Sequence, residues 1–107
     1  MGVRMIDVLK RIKRAILSGN YAFSEKARVE MEADQLTELD VAESILNAVA
    51  IYKTIRSTNP HPPFSRELLY IIQSTNLNGL AIYSKGKLVS HAGQDTYYFL
   101  ISSKKAL

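Results

Sequence analysis

The chain contains no cysteine and no long apolar run, and both absences restrict what it can be. Without cysteine there are no disulfides, no thiolate nucleophile and no thiolate metal site, a composition that suits a reducing compartment. No apolar run approaches the roughly 20 residues of a membrane span. Residues 1–17 carry charges throughout and lack the continuous apolar core of a secretory signal. We therefore expect a cytoplasmic protein without a membrane partner.

Several catalytic signatures are also missing from the sequence. There is no phosphate-binding glycine loop and no nucleophile elbow. The only two histidines, His61 and His91, are thirty positions apart and are predicted to lie on different loops. Histidine ligands of a metal normally occur at much closer spacing. We therefore expect neither a metal site nor a cofactor.

The charge of the chain is unevenly distributed. The 107 residues are 47% hydrophobic and 22% charged, which is enough apolar material for one domain spanning 1–107. The net charge is +4, and 7 of the 10 acidic residues fall between Glu25 and Glu43. The remainder of the chain is therefore strongly basic. A basic balance favours polyanionic partners such as RNA, because lysine and arginine neutralise phosphates and release counterions.

The N-terminal half is predicted to form three helices. Apolar residues recur every three or four positions in the first, which ends at Ser18–Asn20, so residues 1–20 form one unit. Ser24 is a candidate N-cap for a second helix over 25–33. Thr37 and Asp40 resemble a capping box for a third helix, which ends near Asn47. Residues 21–23 are expected to be a short extended link.

The C-terminal half is predicted to form a sheet. Strands are expected at 49–56, 67–73, 80–83 and 96–102, with a hairpin turn at 84–87, a short extended continuation at 88–91 and a basic tail at 103–107. Within 67–73, the unbroken apolar run over residues 68–72 predicts a strand buried on both faces. Helices followed by strands indicate an α+β fold, in which N-terminal helices pack on one face of an antiparallel sheet of about four strands.

Basic and aromatic residues are interspersed in a way that suits single-stranded RNA, because lysines neutralise phosphates while rings stack on unpaired bases. The alternative is that the tyrosines are core residues and the lysines only aid solubility. The candidate nucleic-acid-binding residues are Lys10, Arg11, Arg14, Lys104 and Lys105.

A catalytic hypothesis uses the same chemistry. In metal-independent RNA cleavage the ribose 2′-hydroxyl attacks the adjacent phosphorus, which requires proton transfer and neutralisation of developing charge. Candidates for charge stabilisation are Arg66, Lys85 and Lys87, and candidates for proton transfer are His91 and Tyr83. The alternative reading of His91 is an exposed hairpin residue.

The segment FSEKARVEMEADQLTELDVAESILNAVAIYKTI resembles the domain of unknown function family 4258, and the resemblance extends over about residues 21–102. That family is similar in layout to the RelE, ParE and BrnT group of bacterial toxins. The resemblance implies a toxin–antitoxin role, with RNA cleavage as in RelE and BrnT relatives or gyrase as the target in ParE relatives. It also implies an acidic antitoxin-like partner. Lys26 stands where the family pattern has histidine, so no role of that histidine transfers to this chain.

A non-catalytic alternative remains open at this point. The first helix or an exposed strand edge could hold a protein or nucleic-acid partner without any reaction. Edge strands and an apolar first helix also make a homodimer a reasonable expectation.

Overall fold

The computed structural model describes residues 5–58, 67–91 and 94–107. For residues 5, 6, 91 and 94–96 it describes the backbone only. It contains three helices and five strands. Their bounds in chain order are α1 Met5–Leu17, β1 Tyr21–Phe23, α2 Glu25–Ala33, α3 Glu38–Asn47, β2 Lys53–Arg56, β3 Leu68–Thr75, β4 Ala81–His91 and β5 Gln94–Lys105. The predicted α+β fold is confirmed.

The helix ends follow the predicted capping chemistry. Gly19 takes a φ of 75° directly after α1, a conformation that glycine adopts without steric cost. The Ser24 hydroxyl accepts from the amide of Ala27, and Thr37 and Asp40 form a reciprocal capping box. These local bonds satisfy helix N–H groups that have no partner within the helix.

The sheet has the order β1-β5-β4-β3-β2 and is mixed rather than wholly antiparallel. Strands β2 to β5 pair antiparallel, as predicted. Residues 21–23, expected to be a link, form a fifth strand that pairs parallel with β5. The amide of Tyr98 donates to Asn20 O and that of Ser24 donates to Leu100 O, which fixes this strand at the sheet edge.

C-terminal to the residues of β5 that pair with β1, the neighbour of β5 at this edge is helix α2. The amide of Ser103 donates to Glu30 Oε1 at 3.1 Å, and that of Lys105 donates to Asp34 Oδ2 at 2.8 Å. Two helix carboxylates thus pair with backbone groups that a further strand would otherwise occupy. Covering an edge in this way is a known protection against strand-to-strand association.

The hairpin turn predicted at 84–87 is wrong, because Ala81–His91 form one continuous strand. Position 86 requires glycine because a side chain would not fit there, and not because the backbone turns. A Cβ atom at this position would lie 2.5 Å from Cζ of the buried Tyr98 ring. The strand therefore continues through 84–87, with a shift in its register against β5 between Lys85 and Gly86, and Lys85 and Lys87 are strand residues rather than loop residues.

Other strand bounds also differ from the prediction. The strand expected from 49 begins at Lys53, since Ala48 caps α3 and Val49 is 94% exposed. The last strand continues to Lys105, so the predicted tail at 103–107 is largely part of β5. Pairing of Ser103 with Ser84 and of Lys104 with Tyr83 explains this extension.

One hydrophobic core joins all three helices to the first face of the sheet. The sheet supplies alternate residues to this face, because successive side chains of a strand point to opposite sides. The sheet side chains of this core are Tyr70, Ile72, Ile82, Tyr98 and Leu100. They pack with Ile12 of α1, Met31 of α2 and Val41 and Ile45 of α3, among others.

The opposite side of the sheet, which we call the second face, has a different composition. By strand alternation and register it carries Lys53, Ile55, Leu69, Ile71, Gln73, Tyr83, Lys85, Lys87, Val89, Tyr97, Phe99 and Lys104. Leu69 and Ile71 are buried yet lie outside the main core cluster, which confirms that β3 is buried on both faces. Cations and aromatic rings surround this apolar centre.

Candidate nucleic-acid interface

Strand β4 brings three of the predicted catalytic residues onto one surface. Tyr83, Lys85 and Lys87 occupy alternate positions of the strand and so share the second face. Neighbouring members of this row are about 7 Å apart along the strand. All three are half-buried. A row of this kind presents two ammonium groups and a phenol along one line.

Tyr83 lies close to a cation and within the electrostatic influence of a carboxylate. Lys104 is its partner on β5, and the Lys104 Nζ lies 5.3 Å from the centroid of the Tyr83 ring. Burial, followed by the charge of Glu30, raises the pKa of Tyr83 above its usual range. Glu30 itself accepts from the Ser102 hydroxyl at 2.7 Å. The Tyr83 hydroxyl is therefore a weaker acid than that of an exposed tyrosine.

Lys87 is held in place by an ion pair. Its Nζ lies 2.8 Å from Glu67 Oε2, and the two side chains are 22% and 30% exposed. The same Nζ lies 6.0 Å from the centroid of the Phe99 ring. Lys87 is thus a positioned cation whose charge is partly balanced by Glu67, whereas Lys104 is exposed.

Two aromatic residues extend the surface and were not among the predicted site residues. Tyr97 and Phe99 lie opposite Val89 and Lys87, with their ring centroids 6.5 Å apart at an interplanar angle of 89°. Tyr97 is 36% exposed. The alternation of β5 separates these rings from the buried Tyr98, but only the register with β4 places them beside Lys87.

An open cleft of about 590 Å³ lies where strands β3 and β4 separate. These two strands pair from Thr75 and Ala81 at one end to Tyr70 and Gly86 at the other. Beyond that end, Leu68 and Leu69 of β3 pair only with β2, and residues 87–91 of β4 pair only with β5. We call this opening the fork. It is lined by Arg11, Glu67, Leu68, Tyr70, Lys87, Leu88, Val89, Ser90, Tyr97 and Phe99. Since the strands part here, residues of both sheet faces reach the same cleft.

The predicted basic cluster of α1 does not join the second face as a unit. Lys10 and Arg14 are exposed on α1, which packs against the opposite side of the sheet. Lys13 Nζ donates to Ala48 O and ties α1 to the end of α3. Arg11 alone reaches the fork, where it lies in the same cleft as Lys87.

The remaining predicted residues are dispersed. Lys105 is exposed, and it borders a second open cavity of about 330 Å³ together with Lys104, Tyr83 and Gln73. His91 is the last residue of β4, and only its backbone is described. Arg66 lies outside the described residues. Of the sheet tyrosines, Tyr70 and Tyr98 belong to the core cluster and therefore are not exposed stacking rings.

The described part of the chain has neither a cluster of metal ligands nor a membrane-spanning helix. No three acidic or histidine side chains within it converge as a metal site would require. None of its helices has the length and apolarity needed to cross a membrane.

Comparisons with protein-family models, with curated proteins and with solved structures found no match to this chain.

Proposed function

We propose that the chain binds single-stranded RNA across the second face of its sheet. The observation that carries this proposal is the juxtaposition of Tyr83, Lys85 and Lys104 on two paired strands, with Lys87 and Phe99 beside them. Ammonium groups neutralise phosphates, and aromatic rings stack on unpaired bases regardless of sequence. A sheet surface that offers both groups in alternation suits a flexible strand better than a duplex.

The distribution of charge favours the same face. Seven of the ten acidic residues lie between Glu25 and Glu43, on the helices and loops of the opposite layer or at the α2 edge. The basic residues of α1 and α2 offset most of these acids, so the helical layer attracts a polyanion less than the second face does, which carries Lys53, Lys85, Lys87 and Lys104. The resulting field orients an approaching strand before any contact forms.

Metal-independent cleavage is a second candidate, favoured by the position of the Tyr83 phenol on the same face as Lys85 and beside Lys104. A phenol in this place can deliver its proton to the departing 5′-oxygen while the 2′-oxygen attacks phosphorus. Lys85 and Lys104 supply positive charge for the developing phosphorane. The proton of the 2′-hydroxyl passes to a general base, for which His91 remains the sequence-based candidate. The resemblance of residues 21–102 to the domain of unknown function family 4258, which is similar in layout to RelE, ParE and BrnT toxins, is the reason for proposing this chemistry and an acidic antitoxin-like protein as the partner that covers the basic face.

Binding and cleavage are separated by one experiment. The purified protein is titrated into fluorescein-labelled single-stranded RNA of mixed sequence at several salt concentrations, and cleavage is followed with and without EDTA. We expect binding that weakens as salt rises, and a smaller salt slope for Lys85→Gln and Lys104→Gln. Lys26→Gln is the matched control, because Lys26 is an exposed lysine on α2.

Each outcome selects one function. EDTA-resistant cleavage that is lost in Tyr83→Phe supports the ribonuclease. Salt-dependent binding without cleavage leaves an RNA-binding module. Absence of binding at low salt contradicts the proposal and leaves a protein-binding module as the alternative.

A further inference from the structure

We infer that the open cavity of about 330 Å³ bordered by Gln73, Tyr83 and Lys104 receives one base of the bound strand, and that Gln73 makes adenine the preferred base. We call this opening the Gln73 cavity. The inference deepens the proposed function, and it rests on that function for the claim that the base belongs to single-stranded RNA. It adds a specificity-determining side chain to a surface whose lysines and rings bind any sequence.

The first argument is the alignment of three residues across the sheet. Tyr83 on β4 pairs with Gln73 on β3 and with Lys104 on β5, so the three residues form one row on the second face. Adjacent strands are about 4.8 Å apart, which places the two ends of the row about 10 Å from each other. That span is comparable with the length of one nucleotide from the edge of its base to its phosphate. One nucleotide can therefore contact the amide at one end and the ammonium group at the other.

The second argument is the chemistry of the carboxamide. Gln73 is exposed on the sheet and borders the cavity. The oxygen of a glutamine amide accepts from the N6 amino group of adenine while its NH₂ group donates to N7. Guanine presents two acceptors at this edge and leaves the amide oxygen without a donor. The edge is open in an unpaired strand, whereas the deep and narrow major groove of an RNA duplex hides it.

The third argument is the aromatic ring next to the amide. Tyr83 is half-buried and borders the cavity, so a base that enters lies against its ring. Contacts between a base and an aromatic ring tolerate any base, although the larger purines gain more contact area than pyrimidines. The Lys104 Nζ lies 5.3 Å from the centroid of the same ring, where it is within reach of the phosphate. The ring and the lysine thus supply affinity, and the amide selects the base.

The cavity wall formed by residues 105 and 106 is fixed by backbone hydrogen bonds. The Ala106 amide donates to Ala81 O at 3.0 Å, and the Lys105 amide donates to Asp34 Oδ2 at 2.8 Å. These bonds hold this part of the chain to β4 on one side and to α2 on the other. A wall that is ordered before binding loses little conformational entropy when the ligand arrives. The volume also falls within the range of about 300–1,000 Å³ that small-molecule sites occupy.

The test compares two short RNA strands that differ at one atom of each base. One is oligoadenylate, and the other is the same strand built from 7-deazaadenosine, which has the same ring area but lacks the N7 acceptor. Fluorescence anisotropy at one low salt concentration measures both affinities. We expect the original chain to bind oligoadenylate about fivefold more tightly, which is the contribution of roughly one hydrogen bond. Gln73→Leu should bind the two strands equally.

Two variants serve as controls for this comparison. Gln35 is an exposed glutamine with a φ of 59°, a conformation that glycine adopts without steric cost, so Gln35→Gly removes an amide outside the cavity without backbone strain. It should keep the preference for oligoadenylate. Tyr83→Phe should keep it as well, because the ring remains and only the hydroxyl is lost. Circular dichroism at increasing temperature establishes that each variant is folded.

A second measurement uses the unmodified chain and so does not depend on the stability of any variant. Saturating oligoadenylate should shift the side-chain NH₂ resonances of Gln73 in a ¹H–¹⁵N spectrum and leave those of Gln35 in place. Unmoved Gln73 resonances would overturn the inference.

The outcomes separate the inference from the function on which it rests. Equal binding of both strands by the original chain, or a preference that survives in Gln73→Leu, shows that Gln73 does not read the base, while the proposed function stands. Loss of the preference in Gln35→Gly would also contradict the inference. Absence of binding by either strand at low salt overturns the proposed function and the inference together.

Discussion

Gly86 and Tyr98 lie so close together on neighbouring strands that a Cβ atom on Gly86 would fall 2.5 Å from Cζ of the Tyr98 ring. The ring is wholly buried and fills the space above the glycine. This contact keeps β4 continuous through 84–87, and the continuous strand is what aligns Tyr83, Lys85 and Lys87 on the second face.

Substitution of Gly86 by alanine is therefore expected to destabilise the fold. The added methyl group must displace the Tyr98 ring, and overpacking of this kind costs about 1–3 kcal/mol. Urea unfolding of Gly86→Ala measures the change. Combining it with Tyr98→Leu, which shortens the opposing side chain, should recover part of the loss in a double-mutant cycle. A Gly86→Ala protein as stable as the original chain would show that the ring has room to move.

The Tyr98 hydroxyl leads to a prediction about alkaline pH. It is buried without a hydrogen-bond partner, and burial, with a smaller contribution from Tyr70, raises the pKa of Tyr98. The unfolded chain then loses this proton near its ordinary value of about 10, while the folded chain keeps it. Stability from this group is fully present below pH 10 and declines as the pH rises above it.

Tyr98→Phe removes that titration. We expect the variant to be as stable as the original chain at pH 7, because a buried hydroxyl without a partner contributes little or is unfavourable. Between pH 10 and 11 its free energy of unfolding should fall less steeply. Chemical denaturation across this range is the measurement, with Tyr52→Phe as the exposed control. Equal slopes for both variants would contradict the assignment.

The N-terminus of α3 should control stability in acid. Asp40 accepts from the Thr37 amide at 2.9 Å and from Asn76 Nδ2 at 3.1 Å, so it joins the helix cap to the β3–β4 turn. The Thr37 backbone hydrogen bond is the main cause that lowers the pKa of Asp40. A lowered pKa contributes stability above the ordinary value of about 4, and this stability is lost as the pH falls through the folded value.

Asp40→Asn should therefore lose about 1 kcal/mol at pH 7, the usual cost of a weakened cap. Its stability should also change less between pH 5 and pH 3 than that of the original chain. Thermal unfolding at these pH values tests both points, with Glu32→Gln as a control for an exposed acid on a neighbouring helix. A parallel pH dependence in Asp40→Asn and the original chain would rule out this role for the carboxylate.

The ion pair between Lys87 and Glu67 should contribute only modestly to the free energy of unfolding. The pair is only partly exposed, but such ion pairs contribute about 0–1 kcal/mol because desolvation offsets the attraction. We expect Glu67→Gln to change stability little and to strengthen RNA binding, since it removes the carboxylate that is paired with Lys87. Fluorescence anisotropy with labelled RNA measures this effect, with Glu32→Gln as the charge-matched control. Weaker binding in Glu67→Gln would indicate that the carboxylate orients Lys87 for its ligand.

The sequence predicted the helical half of the fold well, because helix caps and apolar spacing act over a few residues. Ser24, Thr37 and Asp40 all cap the helices that their positions indicate. The sheet was predicted in part, since register depends on residues far apart in the chain. Gly86 illustrates the difficulty, because its sequence neighbours favour a turn while its spatial neighbour Tyr98 requires a strand.

The candidate site shows the same limit. Strand alternation alone groups Tyr83, Lys85 and Lys87 once β4 is known to be continuous. Lys104 and Phe99 come from β5 and depend on the pairing register, and Glu67 directly precedes β3. Arg11 differs from the rest of the α1 cluster because it borders the cleft where β3 and β4 separate, and this position depends on the sheet pairing.

Lysine footprinting tests the central claim most directly, because it uses the unmodified chain. The protein is acetylated briefly with and without saturating single-stranded RNA, and the modified lysines are quantified by mass spectrometry. The account predicts strong protection of Lys85 and Lys104 on the second face, with little change at Lys26 on α2 or Lys10 on α1. Protection of Lys10 and Lys26 with unchanged reactivity at Lys85 and Lys104 would contradict it.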